Sequence, residues 1–588
     1  MIEVKIYNDR SFIVDTNEFK GRLIKPYQEA LRNELSYDVP NAEWSAKFKE
    51  GRWDGKISLY DRRDQSYPSG LSGRVKKLLN SLSVEYSFID ERTKPEKDYP
   101  VTCDFGGKQL RDYQLVSAES AHKFGRGMLS LCTGAGKTMT SCYLFSQIQV
   151  KPVVFIVPAI ELLKQTQKEF EKYLKINDSP CKVGIAGGGQ CDLNLDGINV
   201  ITYQTALNAF DKKYVESSSK IVQDNGEGSK PTALLEQELN LSTQTYKTAL
   251  KNAEFKLRKE LLEVITAETN SEKDAKKLRI TYERSLNAIV KVELAAYKKA
   301  LSAWNSRQDV LLQKSQIRSL VQDCKALIID EAHLAAIITE EIGTEAKNAY
   351  YRVGLSATPW RTDNQEIRIE GTLGRKIIEL SASDLIERGF LVQPKIFMVN
   401  CDYFEEAKTY QEVYSLNIVN NWERNYRIKQ FAEELKANSK PTLILVERKE
   451  HGDILESMIE DSVFVPGGDK GFDDPTDEEK NYRRRMLNAV ENNDIVLIAT
   501  QWANVGVDAP KISCLILAGS NQSSVTTYQQ VGRVLRCVGK DIEDSKAYGK
   551  DCAIIVDFYS NQKNLKTHSN MRKKVYKNER AWKFYDIK

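Results

Sequence analysis

The chain has 588 residues, 41% hydrophobic and 29% charged, which is enough apolar material for several packed cores and at this length implies three or four domains. No run of about 18 uncharged apolar residues occurs, which argues against a membrane span, and the start Met1-Ile2-Glu3-Val4-Lys5 lacks the charged-then-apolar design of a signal peptide, so a cytoplasmic protein is expected. The formal net charge is only +4, and its excess lies at the end: from Gln562 to Lys588 nine Lys/Arg stand against two Asp/Glu.

Residues 1–100 mix short strand-like runs (3–6, 11–14 and 56–60) with a predicted helix over 25–35, a small α+β domain closing on a proline-bearing linker at 91–100. From 104 onward apolar runs alternate with amphipathic helices. Val153-Val154-Phe155-Ile156-Val157 has the unbroken apolar texture of a parallel strand covered on both faces. Strand–helix alternation at this spacing calls for an α/β layer structure. The rhythm stops near Asp211. Residues 217–230 are polar, and from Thr232 to Ile342 there is neither Gly nor Pro while Ala, Leu, Glu, Lys and Gln dominate. Long helices are expected there, as a hairpin turning near Thr269-Asn270-Ser271. Because the alternation resumes at Ala326-Leu327-Ile328-Ile329, they are read as an insertion over 211–322 inside one α/β domain spanning 104–390. A second α/β block is expected over 391–560, with buried strands at 442–446, 495–498, 514–517 and 553–556, followed by a basic amphipathic helix over 561–588. Ten cysteines are scattered without a Cys-x-x-Cys pair, so buried reduced thiols are expected rather than zinc or disulfides.

The short apolar run Met128-Leu129-Ser130-Leu131 leads into Cys132-Thr133-Gly134-Ala135-Gly136-Lys137-Thr138 and then a helical segment. Small residues between a strand and a helix let backbone N–H groups surround phosphates. Lys137 would then neutralise the β- and γ-phosphates of ATP, and the Thr138 hydroxyl would ligate Mg²⁺. The strict pattern wants Gly where Leu131 stands. The complement of such a loop is an acidic pair ending another buried strand, and residues 326–329 lead into Asp330-Glu331-Ala332-His333. Asp330 suits Mg²⁺, Glu331 suits a general base on the attacking water, and His333 a relay to neighbouring segments. A helix N-terminus made acidic for its dipole is the plain alternative; the strand before it and the Gly-Lys-Thr loop upstream favour catalysis.

With these two segments the chain resembles the superfamily 2 helicases, and further motifs stand in that family's order. Leu110-Arg111-Asp112-Tyr113-Gln114 resembles the adenine-reading segment, which implies nucleotide contacts for Arg111 and Gln114 beside Thr133, Gly134, Ala135, Gly136, Lys137 and Thr138. Val157-Pro158-Ala159-Ile160-Glu161-Leu162-Leu163-Lys164-Gln165 and Thr202-Tyr203-Gln204-Thr205 resemble strand-tracking motifs, implying nucleic-acid contacts for Pro158, Gln165, Thr202 and Gln204. Gly354-Leu355-Ser356-Ala357-Thr358-Pro359 matches the motif that couples hydrolysis to motion through Ser356, Ala357 and Thr358. In the second block, 443–448 ending in Arg448 resembles motif IV, and 499–508 with Thr500, Gly506 and Asp508 resembles motif V, which implies nucleic-acid contacts for Arg448 and Thr500. Gln529-Gln530-Val531-Gly532-Arg533-Val534-Leu535-Arg536 resembles motif VI. The resemblance implies two RecA-like parallel-sheet domains with ATP between them. Gln529, Gly506 and Asp508 would complete the nucleotide contacts, and Arg533 and Arg536, rigid and always charged, would stabilise transition-state charge across the cleft.

The Asp-Glu-Ala-His box invites comparison with RNA helicases of the DEAH class. Cys132-Thr133, Gly532-Arg533-Val534-Leu535-Arg536 and Ala357-Thr358-Pro359-Trp360-Arg361-Thr362-Asp363 are more similar to DNA translocases of the XPB and phage UvsW kind. Lys47-Phe48-Lys49-Glu50-Gly51-Arg52-Trp53-Asp54-Gly55-Lys56, with Pro68-Ser69-Gly70-Leu71, resembles the UvsW-type N-terminal domain. That kinship implies a DNA-stimulated ATP hydrolase that remodels branched DNA by fork regression, branch migration and R-loop unwinding, with branched or duplex DNA and RNA–DNA hybrids as partners, in the host cytoplasm if phage-encoded. The alternatives are the motor subunit of a restriction or defence complex, and an RNA helicase. In the N-terminal segment Lys49, Arg52, Trp53 and Lys56 stand among Trp44, Phe48 and Tyr60, a mixture that places cations on phosphates and aromatics on exposed bases; taken singly, the aromatics are expected in a small core. The insertion, mixed in charge at Lys251, Glu254, Lys256 and Arg258, suits a solvated helix pair, open between a DNA wedge, an arm for a protein partner and a spacer. For the tail helix two readings stay open: Tyr576, Trp582, Phe584 and Tyr585 dock it on the second block while its lysines face DNA, or it is a plain solvated terminus.

Overall fold

The computed structural model describes residues 1–18, 21–210, 309–357, 365–401, 405–467, 477–500, 509–520 and 523–587, with scattered helical residues between 240 and 302. The chain separates into two compact units, Ala206–Ser319 and the remainder, Met1–Thr205 with Leu320–Lys588. Within the smaller unit the Arg318 guanidinium donates to the Ala209 carbonyl at 2.8 and 3.1 Å, closing the two ends of the segment on each other. The hairpin turn read at Thr269-Asn270-Ser271 lies outside the described residues.

The larger unit carries two wide sheets. The first has eight strands, in the order Gln190–Asp192, Val183–Gly187, Ile198–Thr202, Val153–Val157, Ala326–Asp330, Tyr351–Ser356, Arg126–Leu131 and Lys376–Leu380. All pair in parallel except the first, an antiparallel edge. The central strands are apolar at nearly every position because helices cover both faces and leave no solvent side for an alternating pattern. The second sheet has seven strands, all parallel: Ser462–Val465, Val496–Ala499, Thr442–Leu445, Cys514–Leu517, Cys552–Ser560, Gln393–Cys401 and Lys583–Ile587. The expected class, α/β with two RecA-like parallel sheets and a small α+β domain in front, is the observed one.

That small domain is a sheet ordered Ser66–Pro68, Arg10–Asp15, Ile2–Ile6 and Tyr86–Asp90, with helices Lys25–Glu34 and Ser72–Ser81 packed together beside it. Its core of Ile2, Val4, Ile13, Leu31, Tyr67 and Val75 is completed by Ile367 from the first large lobe. The helix Glu366–Leu373 of that lobe lies against Gly70, where a Cβ would stand 2.0 Å from the Glu370 carbonyl oxygen, and Arg74 pairs with Glu370 at 2.7 Å. Only a glycine admits this backbone approach. Gly70→Ala is therefore expected to lower stability by about 1–3 kcal/mol, the usual cost of forcing an added methyl into a packed seam; thermal melting of the full chain checks it.

The tail differs from the expected continuous helix. Lys563–Asn578 is helical, but Lys583–Ile587 is an edge strand paired in parallel with Gln393–Cys401. The helix is held by Arg572, buried against Asp557 at 2.8 Å, and by the Tyr576 hydroxyl, which donates to the same carboxylate. Trp582 then packs on Tyr528 and Tyr576 with ring centroids 5.7 and 6.3 Å away. Beyond it Phe584 faces Tyr576 while Tyr585 stacks on Phe397 at 5.2 Å. Successive rings on opposite faces are the two-residue period of a strand, and an open sheet edge was there to receive it. Of the lysines, Lys573 is tied to Asp586 at 2.8 Å.

All ten cysteines are free thiols, and among the described residues no group of His, Cys, Asp and Glu is placed to hold a metal by itself. No described helix is long and apolar enough to cross a membrane.

Candidate nucleotide and nucleic-acid site

In parallel α/β sheets, ligands bind beyond the carboxyl ends of the strands. Along that edge of the first sheet the motif residues fall in spatial sequence: Thr202 ends one strand, Pro158 follows the next, then come Asp330, Ser356 and, after Leu131, the glycine loop. Chain order does not reveal this. The strand Tyr351–Ser356 runs between the acidic strand and the loop strand, pairing with both, so Ser356 lies between the two halves of the site.

The loop itself is shaped by two glycines with φ of +88° at Gly134 and +81° at Gly136. Gln114 lies across it: its amide donates to the Ala135 carbonyl at 2.9 Å, and its side-chain oxygen accepts from the Arg111 backbone at 2.9 Å. A Cβ on Gly136 would come within 2.3 Å of that amide nitrogen. The helix Lys137–Ile148 starts here, and its first-turn N–H groups, Thr138 included, have no acceptor within the helix. Lys137 reaches across to donate to the Glu331 carboxylate and lies 3.9 Å from Asp330. Burial opposes the lysine's charge, but Glu331 and Asp330 hold its pKa above the ordinary value. Burial pushes Asp330 up to about 6 against the pull of Lys137. Burial acts likewise on Glu331, yet Lys137 and His333 hold that carboxyl below its usual range. Glu331 occupies the left-handed region at φ +49°, a strained setting for a side-chain residue and one that recurs at functional sites. The His333 Nδ1 is 2.6 Å from Ser356 Oγ and 3.4 Å from Glu331 Oε2. A cation, two acids, a histidine and a helix N-terminus thus converge on one loop. This donor set fits a Mg²⁺-bound polyphosphate: Thr138 and Asp330 could hold the ion, and Lys137 with the loop N–H groups the phosphates.

The second lobe closes on that loop. On the helix Ser524–Val534, Gly532 lies so near that a Cβ would meet Thr133 at 2.7 Å, and the Arg536 Cγ is 3.6 Å from the Cβ position of Gly134. Arg533 is on the same helix, as is Gln529, which is half-buried. At the other end of the cleft the Arg111 guanidinium stacks on Phe390 at 4.1 Å and donates to the Tyr113 hydroxyl at 3.0 Å and the Lys540 carbonyl at 2.8 Å. Of these partners only Tyr113 stands in the quoted motif, and Phe390 and Lys540 lie outside every motif. The motifs gave no role to Tyr203, whose hydroxyl donates to the Asp330 carbonyl at 2.9 Å; its place in the quoted Thr202-Tyr203-Gln204-Thr205 run was the only signal.

In the two large lobes the residues expected to contact nucleic acid lie at or beyond carboxyl ends of strands in both sheets. Thr202 ends a strand of the first sheet and Pro158 follows its neighbour, while Arg448 and Thr500 lie beyond two neighbouring strands of the second. Gln204 is exposed, Gln165 is bonded to Glu169 at 3.0 Å, Arg448 lies over the Tyr414 ring at 4.6 Å, and Thr500 accepts from the Gly467 N–H at 2.7 Å. Ala357 is half-buried beside Ser356. Thr358, Gly506 and Asp508 lie outside the described residues.

In the small domain the expectation that the aromatics are core residues holds for Tyr60, which is 4% exposed, and fails for Trp44 at 73% and Phe48 at 39%. These two stand on a short projection, residues 42–49, too small to enclose large rings. Lys49 lies over the Trp44 ring at 5.5 Å, Trp53 donates to the Lys56 carbonyl at 2.7 Å, and Arg52 and Lys56 are exposed.

Three family descriptions match the chain: DNA helicase UvsW, N-terminal, over residues 27–90; type III restriction enzyme, res subunit, over 107–225; and helicase conserved C-terminal domain over 426–538. The protein designated helicase 22 of Sulfolobus islandicus filamentous virus is 26% identical over 243 residues, 38% of this chain and 42% of its own length. The DNA 3'-5' translocase XPB2 of Sulfurisphaera tokodaii is 39% identical over 155 residues, 26% of this chain and 31% of its own. The ATP-dependent DNA helicase uvsW of Enterobacteria phage T4 is 20% identical over 534 residues, 86% of this chain and 83% of its own. The crystal structure of T4 UvsW aligns over 100% of this chain and 99% of its own at 16% identity with a TM-score of 0.40. The chain thus spans less than half the length of the first two relatives and most of the third.

Proposed function

We propose, on the premise that this chain is a superfamily 2 helicase of the UvsW-like kind, that it is an ATP-driven DNA motor remodelling forks, junctions and R-loops in replication, recombination and repair. The observation that carries the motor reading is the closure of the Arg533 and Arg536 segment of the second lobe on the phosphate loop of the first. Lys137, now on Glu331, would turn to the β- and γ-phosphates when ATP enters, leaving Glu331 free to take a proton from the attacking water. Mg²⁺ bound by Thr138 and Asp330 would neutralise charge on the same phosphates. Arg533 and Arg536 would stabilise charge on the transferring phosphoryl group from across the cleft. Loss of the γ-phosphate removes what holds the lobes together, and His333 on Ser356 passes that change to the segment leading to Ala357 and Thr358. Pro158, Gln165, Thr202 and Gln204 on one lobe, with Arg448 and Thr500 on the other, would each hold a stretch of strand, so opening and closing the cleft moves DNA.

The test compares ATP turnover with single-stranded DNA, duplex DNA, forks, four-way junctions and RNA duplexes, alongside ATP-dependent conversion of labelled junctions. Junction conversion with DNA-stimulated turnover is expected; stimulation confined to RNA would refute the DNA assignment. The branched-DNA part leans on the small domain. Deleting it would uncover Ile367 and the seam at Gly70, so a surface change is the cleaner probe. Trp44→Ala is expected to weaken fork binding about tenfold, since stacking of one base on an aromatic ring is worth about 1–3 kcal/mol, with turnover on linear duplex unchanged. Equal fork affinity in a binding titration would deny the projection this role.

A second reading, the motor of a restriction complex, draws on the res-subunit match over residues 107–225. It requires a nuclease partner. Its distinguishing outcome is turnover that branched and linear duplex stimulate equally.

A further inference from the structure

The segment after motif VI touches both ends of the proposed nucleotide cleft. Lys550 is 2% exposed, and its ammonium donates to the carbonyls of Pro510 at 2.6 Å, Ile512 at 2.8 Å and Arg536 at 2.8 Å. An ammonium has three donors, and all three are spent on backbone oxygens. One belongs to Arg536 itself, and two belong to the stretch just beyond motif V. Burial pushes the amine's pKa down to about 7, a desolvation cost that an apolar side chain of equal length would not carry.

The backbone of Lys550 is fixed in turn. Its N–H donates to the Ser545 carbonyl at 2.9 Å, and its carbonyl accepts from the Ser545 hydroxyl at 2.7 Å. Ser545 sits on the helix Ile542–Tyr548, which Asp541 caps by accepting from the N–H groups of Glu543 and Asp544 at 3.0 and 3.2 Å. From the same helix the Asp544 carboxylate accepts from the Lys540 N–H at 2.8 Å, and the Lys540 carbonyl is the one that takes the Arg111 guanidinium. One helix therefore holds a carbonyl on the base-reading arginine and an amine on the carbonyl of the motif VI arginine.

We infer that Lys550 is a positioning residue for Arg536, and that the helix Ile542–Tyr548 is the bracket that keeps this arginine in register with Arg111. Lys550 is too deep to touch nucleotide or DNA; it acts by fixing where the Arg536 backbone leaves its helix. Nothing in the motif set points to it, because its three acceptors are main-chain atoms of residues far apart in sequence. The inference rests on the ATPase reading for its kinetic consequence but not for its structural one, and the two are tested apart.

Lys550→Met keeps the length and removes the donors. In the full chain, DNA-stimulated kcat is expected to fall about 100-fold, the loss that a displacement of about 1 Å at a catalytic group brings, while KM for ATP changes little. Affinity for ADP with aluminium fluoride, a mimic of the transferring phosphoryl group, is expected to fall by a similar factor while affinity for a non-hydrolysable ATP analogue holds. Equal loss of both affinities would mark a general collapse of the cleft and overturn the positioning role, as would an unchanged kcat. Lys550→Gln, which retains an amide donor pair, is expected to fall between wild type and Lys550→Met, and serves where the methionine variant does not fold. Hydrogen exchange over residues 532–538 without nucleotide reads the bracket directly: faster exchange in either variant is expected, and unchanged exchange overturns the inference whatever the ATPase assay returns. A wild type inactive on every DNA, with faster exchange in the variants, would fail the motor reading and leave the bracket standing.

Discussion

Arg536→Ala is expected to lower DNA-stimulated ATP turnover by about 10³–10⁵, the range that an arginine supplied to a transferring phosphoryl group is worth. The geometry makes this residue the stronger of the two motif VI candidates. Its Cγ already lies 3.6 Å from the Cβ position of Gly134, its backbone bridges to Leu391 at the junction of the lobes, and its carbonyl is held by Lys550. Arg536→Lys should recover little, because a point charge on a flexible stem does not reproduce a planar fork held in one orientation. Affinity for ATP should be kept within a few-fold, since the loop, Gln114 and Lys137 lie on the other lobe. Steady-state turnover and a nucleotide titration on the same preparations decide it. A loss in turnover smaller than tenfold would remove Arg536 from the transition state and leave Arg533 to be tested in its place.

How much of this was legible in the sequence differs by element. The strand Val153–Val157 and the strand Cys514–Leu517 fall where unbroken apolar runs placed them, because a strand buried on both faces writes its burial into every residue. Motif order along the chain was equally plain. The order of strands across each sheet was not, since parallel strands of similar composition carry no mark of which neighbour they choose. For that reason the placement of Ser356 between Asp330 and the phosphate loop, and the 2.6 Å contact of His333 with its hydroxyl, came only from the structure. The tail was misread for a related reason: a basic stretch with spaced aromatics satisfies a helical period until an open sheet edge offers a better partner, and Tyr585 on Phe397 shows which won. Trp44 was misread because a hydrophobic residue is assigned to a core by default, and the projection bearing it has no core. The packing role of Gly70, a residue of the quoted Pro68-Ser69-Gly70-Leu71 run, and the whole role of Lys550 were not legible, since what matters at each is a backbone atom of a distant residue.

Lys137→Ala is the other large expectation, and its two parts can be separated. Turnover should fall by at least about 10²–10³, the cost of removing a preorganised group that meets developing charge. The same change strips the lysine that the acidic pair touches in the loop: Lys137 donates to Glu331 and lies 3.9 Å from Asp330, with the lysine and glutamate side chains 15% and 16% exposed. Breaking a largely buried pair by deleting one partner costs about 3–5 kcal/mol, because the other charge is left in place without its counterion. A lower melting temperature is therefore expected together with lost activity, and the second could be mistaken for a consequence of the first. Adding Glu331→Gln to Lys137→Ala removes the stranded carboxylate. The double variant should regain much of the lost stability, a coupling that a double-mutant cycle measures, and regain no turnover, since the phosphate cation and the water-activating carboxylate are then both gone. Stability lost to the same extent in the single and double variants would mean that the pair does not couple in the empty site. Turnover recovered in the double variant would mean that Lys137 serves the fold rather than the phosphates.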